Sequence, residues 1–189
     1  MASTQDFRNG FSFIWNNDVW QIVEFLHVKP GKGGAFVRTK LKNIRNGKVV
    51  DNTFRAGEKV EEARVERHSY QFLYEDELGL HLMNTDTYEQ TTLPADRVEG
   101  RGFIKEGGQV DLLVHASTGE ALSVEIPRQV ELTIAKTEPG VKGDTATGAT
   151  KPAELESGAT VYVPLFINEG DMVRVDTESG EYLTRVSSN

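Results

Sequence analysis

Few residues of this chain are of a type and spacing that could do chemistry. His27, His68, His81 and His115 are far apart and show no H-E-x-x-H or other ligand spacing, so they read as structural or surface residues. Cysteine is absent, which removes a thiolate nucleophile, a thiolate metal site and a disulfide framework. There is no G-x-S-x-G elbow. The acidic clusters "YEDE" (Tyr74 to Glu77) and "KVEEARVE" (Lys59 to Glu66) read as solvated surface. The chain is expected to be no enzyme and to need no metal or cofactor.

One stretch stands apart: "HVKPGKGGAFVRTKLKN", His27 to Asn43, sets Lys32 among Pro30, Gly31, Gly33 and Gly34. A Walker A phosphate loop needs a hydroxyl after its lysine and a helix to follow, whereas Lys32 is followed by two glycines and a strand pattern. A plain hairpin tip would use Pro30 to fix φ and the glycines to admit positive φ. That accounts for the glycines and leaves the lysine unexplained. A long cation on a sterically bare tip is suited to enter a narrow space and approach a phosphate or ribose.

The net charge of -8 argues against a polyanionic partner until its distribution is read. Residues 1–64 carry 11 basic against 7 acidic side chains, whereas 65–128 carry 5 against 12 and 129–189 carry 5 against 10. From Phe25 to Val50 there are seven cations, Lys29, Lys32, Arg38, Lys40, Lys42, Arg45 and Lys48, and no acid. A solvated basic face and an anion-binding face both remain open on this pattern.

The elements that must position these residues are strands. "VWQIVEFLHV", "AFVRTKLKNI" and, after the Asn46-Gly47 turn, "KVVDNTF" predict a three-stranded meander. In its second strand Phe36, Val37, Leu41 and Ile44 alternate with Arg38, Lys40, Lys42 and Arg45, which predicts one buried and one cationic face with a single slip of phase. Further strand patterns follow at "SYQFLYE", "LGLHLMN", "YEQTTL", "GQVDLLVHA", "ALSVEIP", "QVELTIAKTE", "ATVYVPLFI", "DMVRVDT" and "EYLTRVS". "PADRVEG" reads as a helical turn, and "KGDTATGATKPA" (Lys142 to Ala153) as a long polar loop. The spacing predicts an all-β protein of three small barrels or sandwiches, residues 1–64, 65–128 and 129–189.

Two distant motifs in the right order then carry a resemblance. "VKPGKGGAFVRTKLKN" with "TFRAGEKV" resembles the first domain of the bacterial translation elongation factor P family. "KPAELESGATVYVPLFINEGD" (Lys151 to Asp171) resembles that family's C-terminal signature through Lys151, Ala153, Gly158, Val161, Val163, Pro164, Phe166, Ile167 and Gly170. The resemblance runs from Asp6 to Val186. Initiation factor 5A, the eukaryotic and archaeal relative, normally has two domains, and the third domain here argues against it.

The resemblance implies a KOW or SH3-like barrel followed by two OB-fold barrels in an L-shaped, tRNA-like arrangement. It implies binding to the ribosome between the peptidyl and exit sites and relief of stalling at consecutive prolines; the chain itself is read as a cytoplasmic monomer. It carries Lys29, Pro30, Gly31, Lys32, Gly33 and Gly34 over as the loop facing peptidyl-tRNA and ribosomal RNA, with Lys32 as the target of a lysine-modifying enzyme. Gly143, Asp144, Thr145, Gly148, Tyr182 and Arg185 match its C-terminal ribosome contacts, and Arg38, Lys40, Lys42 and Arg45 form the basic face. Tyr182 and Arg185 either form a cation-π pair or contact RNA. The alternatives are a generic OB-fold RNA binder, in which Lys32 is one cation among seven, and an enzyme whose acidic residues hold a metal. No apolar run approaches the roughly 20 residues needed to span a membrane, and "MASTQDFRNGFSFIW" lacks the pattern of a secretory signal.

Overall fold

A computed structural model describes residues 1–140 and 148–189. The chain is nearly all β, in three sheets that follow one another along the sequence. The first contains β1 (Ala2–Ser3), β2 (Ser12–Trp15), β3 (Asp18–Val28), β4 (Phe36–Asn43), β5 (Val49–Arg55) and β6 (Lys59–Glu62), in the order β1-β6-β2-β3-β4-β5. The second contains β7 (Val65–Asp76), β8 (Gly79–Asn84), β9 (Gln90–Leu93), β10 (Gln109–His115) and β11 (Glu120–Glu125), ordered β11-β10-β7-β8-β9. The third contains β12 (Gln129–Thr137), β13 (Thr150–Leu155), β14 (Thr160–Pro164), β15 (Met172–Asp176) and β16 (Tyr182–Ser187), ordered β14-β13-β12-β15-β16. Short 3-10 turns occupy Thr4–Asp6, Ala95–Arg97 and Arg101–Phe103.

By packing, the chain divides into two compact units, Met1–His68 with Leu112–Val124, and Ser69–Asp111 with Glu125–Asn189. In the first unit the predicted meander β3-β4-β5 is present, and β2 joins β3 through a two-residue turn in which Asn16 and Asn17 both have positive φ, 51° and 60°. That is the twist a tight hairpin requires. Phe7, Phe11, Phe13 and Phe54 pack with ring centroids 5.4 to 6.2 Å apart and, with Ile22, Val37 and Leu41, fill the core. A separate cluster joins Val19, Ile44 and Ala63 to Leu113 and Leu122. In the second unit, Leu132, Ile134, Ala153, Leu155, Val161, Val163, Ile167, Val173 and Val175 form the core of the third sheet.

Two sequence expectations change. β4 keeps phase throughout, with Val37, Thr39, Leu41 and Asn43 buried and Phe36, Arg38, Lys40 and Lys42 on the other face. The slip lies in β3, where Val23 bulges between Ile22↔Leu41 and Glu24↔Lys40. The polar loop Lys142 to Ala153 also ends sooner than its composition implied: from Thr150 the chain is β13.

Candidate functional site

β3 and β4 remain paired out to Val28↔Phe36, so the loop 29–35 closes the far end of a long hairpin. β2 runs beside β3 only as far as Gln21, and past Ile22 no residue of β3 is fully buried. β4 keeps its hold there through Val37, which is buried and paired with Phe54 of β5. At the tip Lys29, Pro30, Gly31, Lys32, Gly33 and Gly34 are all exposed. Gly33 has φ +110°, a backbone conformation that favours glycine, whereas Gly31 and Gly34 have nothing within 4 Å of where a Cβ would lie. The tip therefore presents a long side chain with empty space on both sides of it.

The outer face of the hairpin reads in cross-strand rows. Lys42 lies between Gln21 and Val49, and Arg38 lies between Leu26 and Thr53, with no carboxylate in either row. Lys40 differs: it lies between Glu24 and Asp51, and its Nζ is 3.4 Å from Glu24 Oε2. The Arg38 guanidinium sits 5.5 Å from the centroid of Phe36, so its planar group is held over an aromatic face. Glu24, Leu26, Arg38, Lys40, Asp51 and Thr53 line a shallow depression of about 580 Å³.

Arg45, expected on this face, is not part of it. It lies in the turn after β4, where its Nε donates to Asp18 Oδ1 at 2.6 Å and its Nη2 to Glu120 Oε2 at 2.8 Å. Asn43 Nδ2 donates to the other Asp18 oxygen at 2.8 Å. Burial pushes the Asp18 carboxyl up, but hydrogen bonds from Asn43, the Val19 backbone N–H and Arg45 outweigh it and hold the group below the usual carboxylate value. Hydrogen bonding to Glu120 first, then to Asp18, holds the guanidinium firmly protonated.

In the second unit Tyr182 packs half-buried against the third-sheet core. Arg185 does not pair with it: the guanidinium lies 5.2 Å from the ring centroid of Phe166, and Nη1 is 3.8 Å from Asp171 Oδ2. Gly148 is exposed with φ +89°. Gly143, Asp144 and Thr145 lie outside the described residues. Lys151, part of the signature, is a buried lysine whose Nζ donates to the Glu138 carbonyl at 2.6 Å, so that it ties the start of β13 to the end of β12. Among the described residues no group of His, Asp or Glu is arranged to hold a metal ion, and no helix is long and apolar enough to cross a membrane.

Three family models match consecutive stretches of the chain. Elongation factor P KOW-like domain matches residues 3–60, elongation factor P OB domain 65–124, and elongation factor P, C-terminal, 130–185. Elongation factor P of Salinibacter ruber is 62% identical over 188 residues, spanning 100% of this chain and 98% of the relative. The chain belongs to the elongation factor P family. Elongation factor P of Amoebophilus asiaticus is 53% identical over 189 residues and 100% of both chains. Among solved structures, eukaryotic translation initiation factor 5A from Methanococcus jannaschii aligns with a TM-score of 0.52 and 25% identity, covering 67% of this chain and 90% of that one. An elongation factor P is a translation factor, and its all-β build of a KOW-like domain followed by OB-type domains agrees with the sequence reading.

Proposed function

We propose that this translation factor binds the ribosome between the peptidyl and exit sites, and that the loop Lys29 to Gly34 reaches the acceptor end of peptidyl-tRNA and promotes peptide bond formation at consecutive prolines. The observation that carries the reading is Lys32 itself, exposed on a hairpin tip with open space around both Gly31 and Gly34. Proline reacts poorly, with fixed φ and a secondary amine, so a misaligned donor end loses much of the several kcal/mol that orientation supplies. A factor that holds that end in place lowers the barrier without an acid, base or nucleophile of its own. It acts as a binding protein and not as an enzyme.

In this reading residues 1–64, 65–128 and 129–189 are three domains of a cytoplasmic monomer. Arg38, Lys40 and Lys42 face RNA, while Gly143, Asp144, Thr145, Gly148, Tyr182 and Arg185 meet the ribosome at the other end of the chain. Lys32 is the target of a lysine-modifying enzyme. The test is Lys32→Ala in reconstituted translation of a consecutive-proline message. An exposed loop side chain contributes little packing, so stability should stay within about 0.5 kcal/mol of the parent while polyproline synthesis falls. Equal yields from mutant and parent would refute the proposal.

A further inference from the structure

We infer that Arg45 is a positioning residue, which clamps the sheet bearing the lysine tip to β11 and so fixes the direction in which the tip points. The consequence for translation rests on the proposed function, and the clamp itself rests on geometry within the first compact unit.

The guanidinium is used on two edges. Nε bonds Asp18, the first residue of β3, and the Nη1 and Nη2 pair grips both oxygens of Glu120, the first residue of β11. Such a planar fork suits bidentate binding of a carboxylate, which an ammonium cannot reproduce. The arginine's own backbone is held as well, since its N–H donates to Asn43 Oδ1 at 2.8 Å while Asn43 Nδ2 donates to Asp18. Apolar residues lie next to Asp18 and Arg45 in the sequence: Val19 follows Asp18, Ile44 precedes Arg45, and both are buried with Ala63, Leu113 and Leu122. The Ala116 N–H, donating to the Arg64 carbonyl at 2.9 Å, adds a backbone tie nearby, between the residue after Ala63 and the turn that leads into β11.

Asp18 is at the opposite end of β3 from the loop that carries Lys32. Eleven extended residues span about 36 Å, so a tilt of about 5° at the base moves the tip by about 3 Å. Displacements of about 1 Å in a reacting geometry can cost about a hundredfold in rate. A base clamp therefore has leverage over the tip that a contact near the loop would lack. A phosphate-binding role fits poorly, because the side chain is only 24% exposed and carboxylates occupy both edges of the fork.

Arg45→Lys and Glu120→Gln separate the two roles. A phosphate contact would survive Arg45→Lys, since the cation is kept, and Glu120→Gln would strengthen it by removing a competing carboxylate. A clamp is damaged by both. The chain has no cysteine, so Gly31→Cys and Ser117→Cys admit a clean pair of spin labels. The expected result is that each variant broadens the label-to-label distance distribution and lowers consecutive-proline synthesis by about tenfold or more, with strand content by circular dichroism unchanged. Unchanged distance distributions in both variants would overturn the clamp, as would tighter ribosome binding by Glu120→Gln. The distance measurement decides the clamp even if the unmutated protein fails to aid proline synthesis, a result that would sink the functional reading instead.

Discussion

Replacing Arg38, Lys40 and Lys42 by glutamine, one at a time, should show that these neighbouring cations are unequal on the ribosome. Each phosphate neutralised by a protein cation contributes about 0.7 to 0.9 to the slope of log affinity against log salt, so losing one full contact should soften the fall between about 50 and about 200 mM salt by about threefold. Arg38 and Lys42 have only neutral neighbours across the ladder, and each should give close to that value. Lys40 already has Glu24 at 3.4 Å and faces Asp51. A phosphate must compete with those carboxylates, and an exposed ion pair is worth about 0 to 1 kcal/mol in its own right. Its replacement should therefore change the slope by less than half as much. Ribosome co-sedimentation over a salt series measures this directly. If Lys40→Gln had the largest effect, the argument that Glu24 and Asp51 compete for Lys40 would be wrong, and if all three variants kept the parent slope, so would the assignment of this face to RNA.

Gly79→Ala should be strongly destabilising, because φ is +129° and a Cβ would lie 2.0 Å from the Leu93 carbonyl oxygen; the strained backbone alone costs about 1 to 3 kcal/mol, and urea unfolding would register the loss. Gly31→Ala, which meets nothing within 4 Å and needs no positive φ, should leave the same midpoint unmoved. The Asp171 carboxyl is held below its usual value by the Asn168 backbone N–H first, against the opposing effect of burial, with further help from the Asn189 N–H, Arg185 and Lys151. Its stabilisation is full above the unfolded-state value of about 3.9 and is lost as pH falls through the lower folded value. Asp171→Asn should thus flatten the acid limb of the stability curve, and urea midpoints measured from neutral pH downward would fall in parallel if this carboxylate were uninvolved.

The strands were legible because alternation is a direct consequence of a pleated chain with one buried face. Where the reading of β4 faltered, polar residues were the cause. Thr39 and Asn43 belong to the inner row, the threonine donating to the Asn52 carbonyl at 2.7 Å and the asparagine holding the turn that follows. An apolar count alone skips them and sees a slip. β13 was hidden by Pro152, a residue that usually argues against an interior strand. The ladder with β12 ends at Thr137↔Ala153, so the proline is paired with β14 alone and its missing N–H breaks no β12 pairing, while its carbonyl accepts from Thr137 Oγ1 at 2.9 Å. Lys32 stood out because a lone cation among glycines has no packing explanation. The role of Arg45 could not be read from the sequence, since its partners Asp18 and Glu120 are 27 and 75 residues away.

The pairing of β3 with β4 also limits how such a chain can change over evolutionary time. Because side chains alternate with a period of two, a single-residue insertion beyond the Val23 bulge would turn Phe25 and His27 outward and bring Leu26 and Val28 in, unless a second bulge absorbed it. Adding two residues to each strand keeps every face. The length of the hairpin is therefore a stepped trait, changing by about 7 Å at a time. Finer adjustments of reach must come from the loop 29–35, which lies beyond the last pair, Val28↔Phe36, and has no strand register to keep.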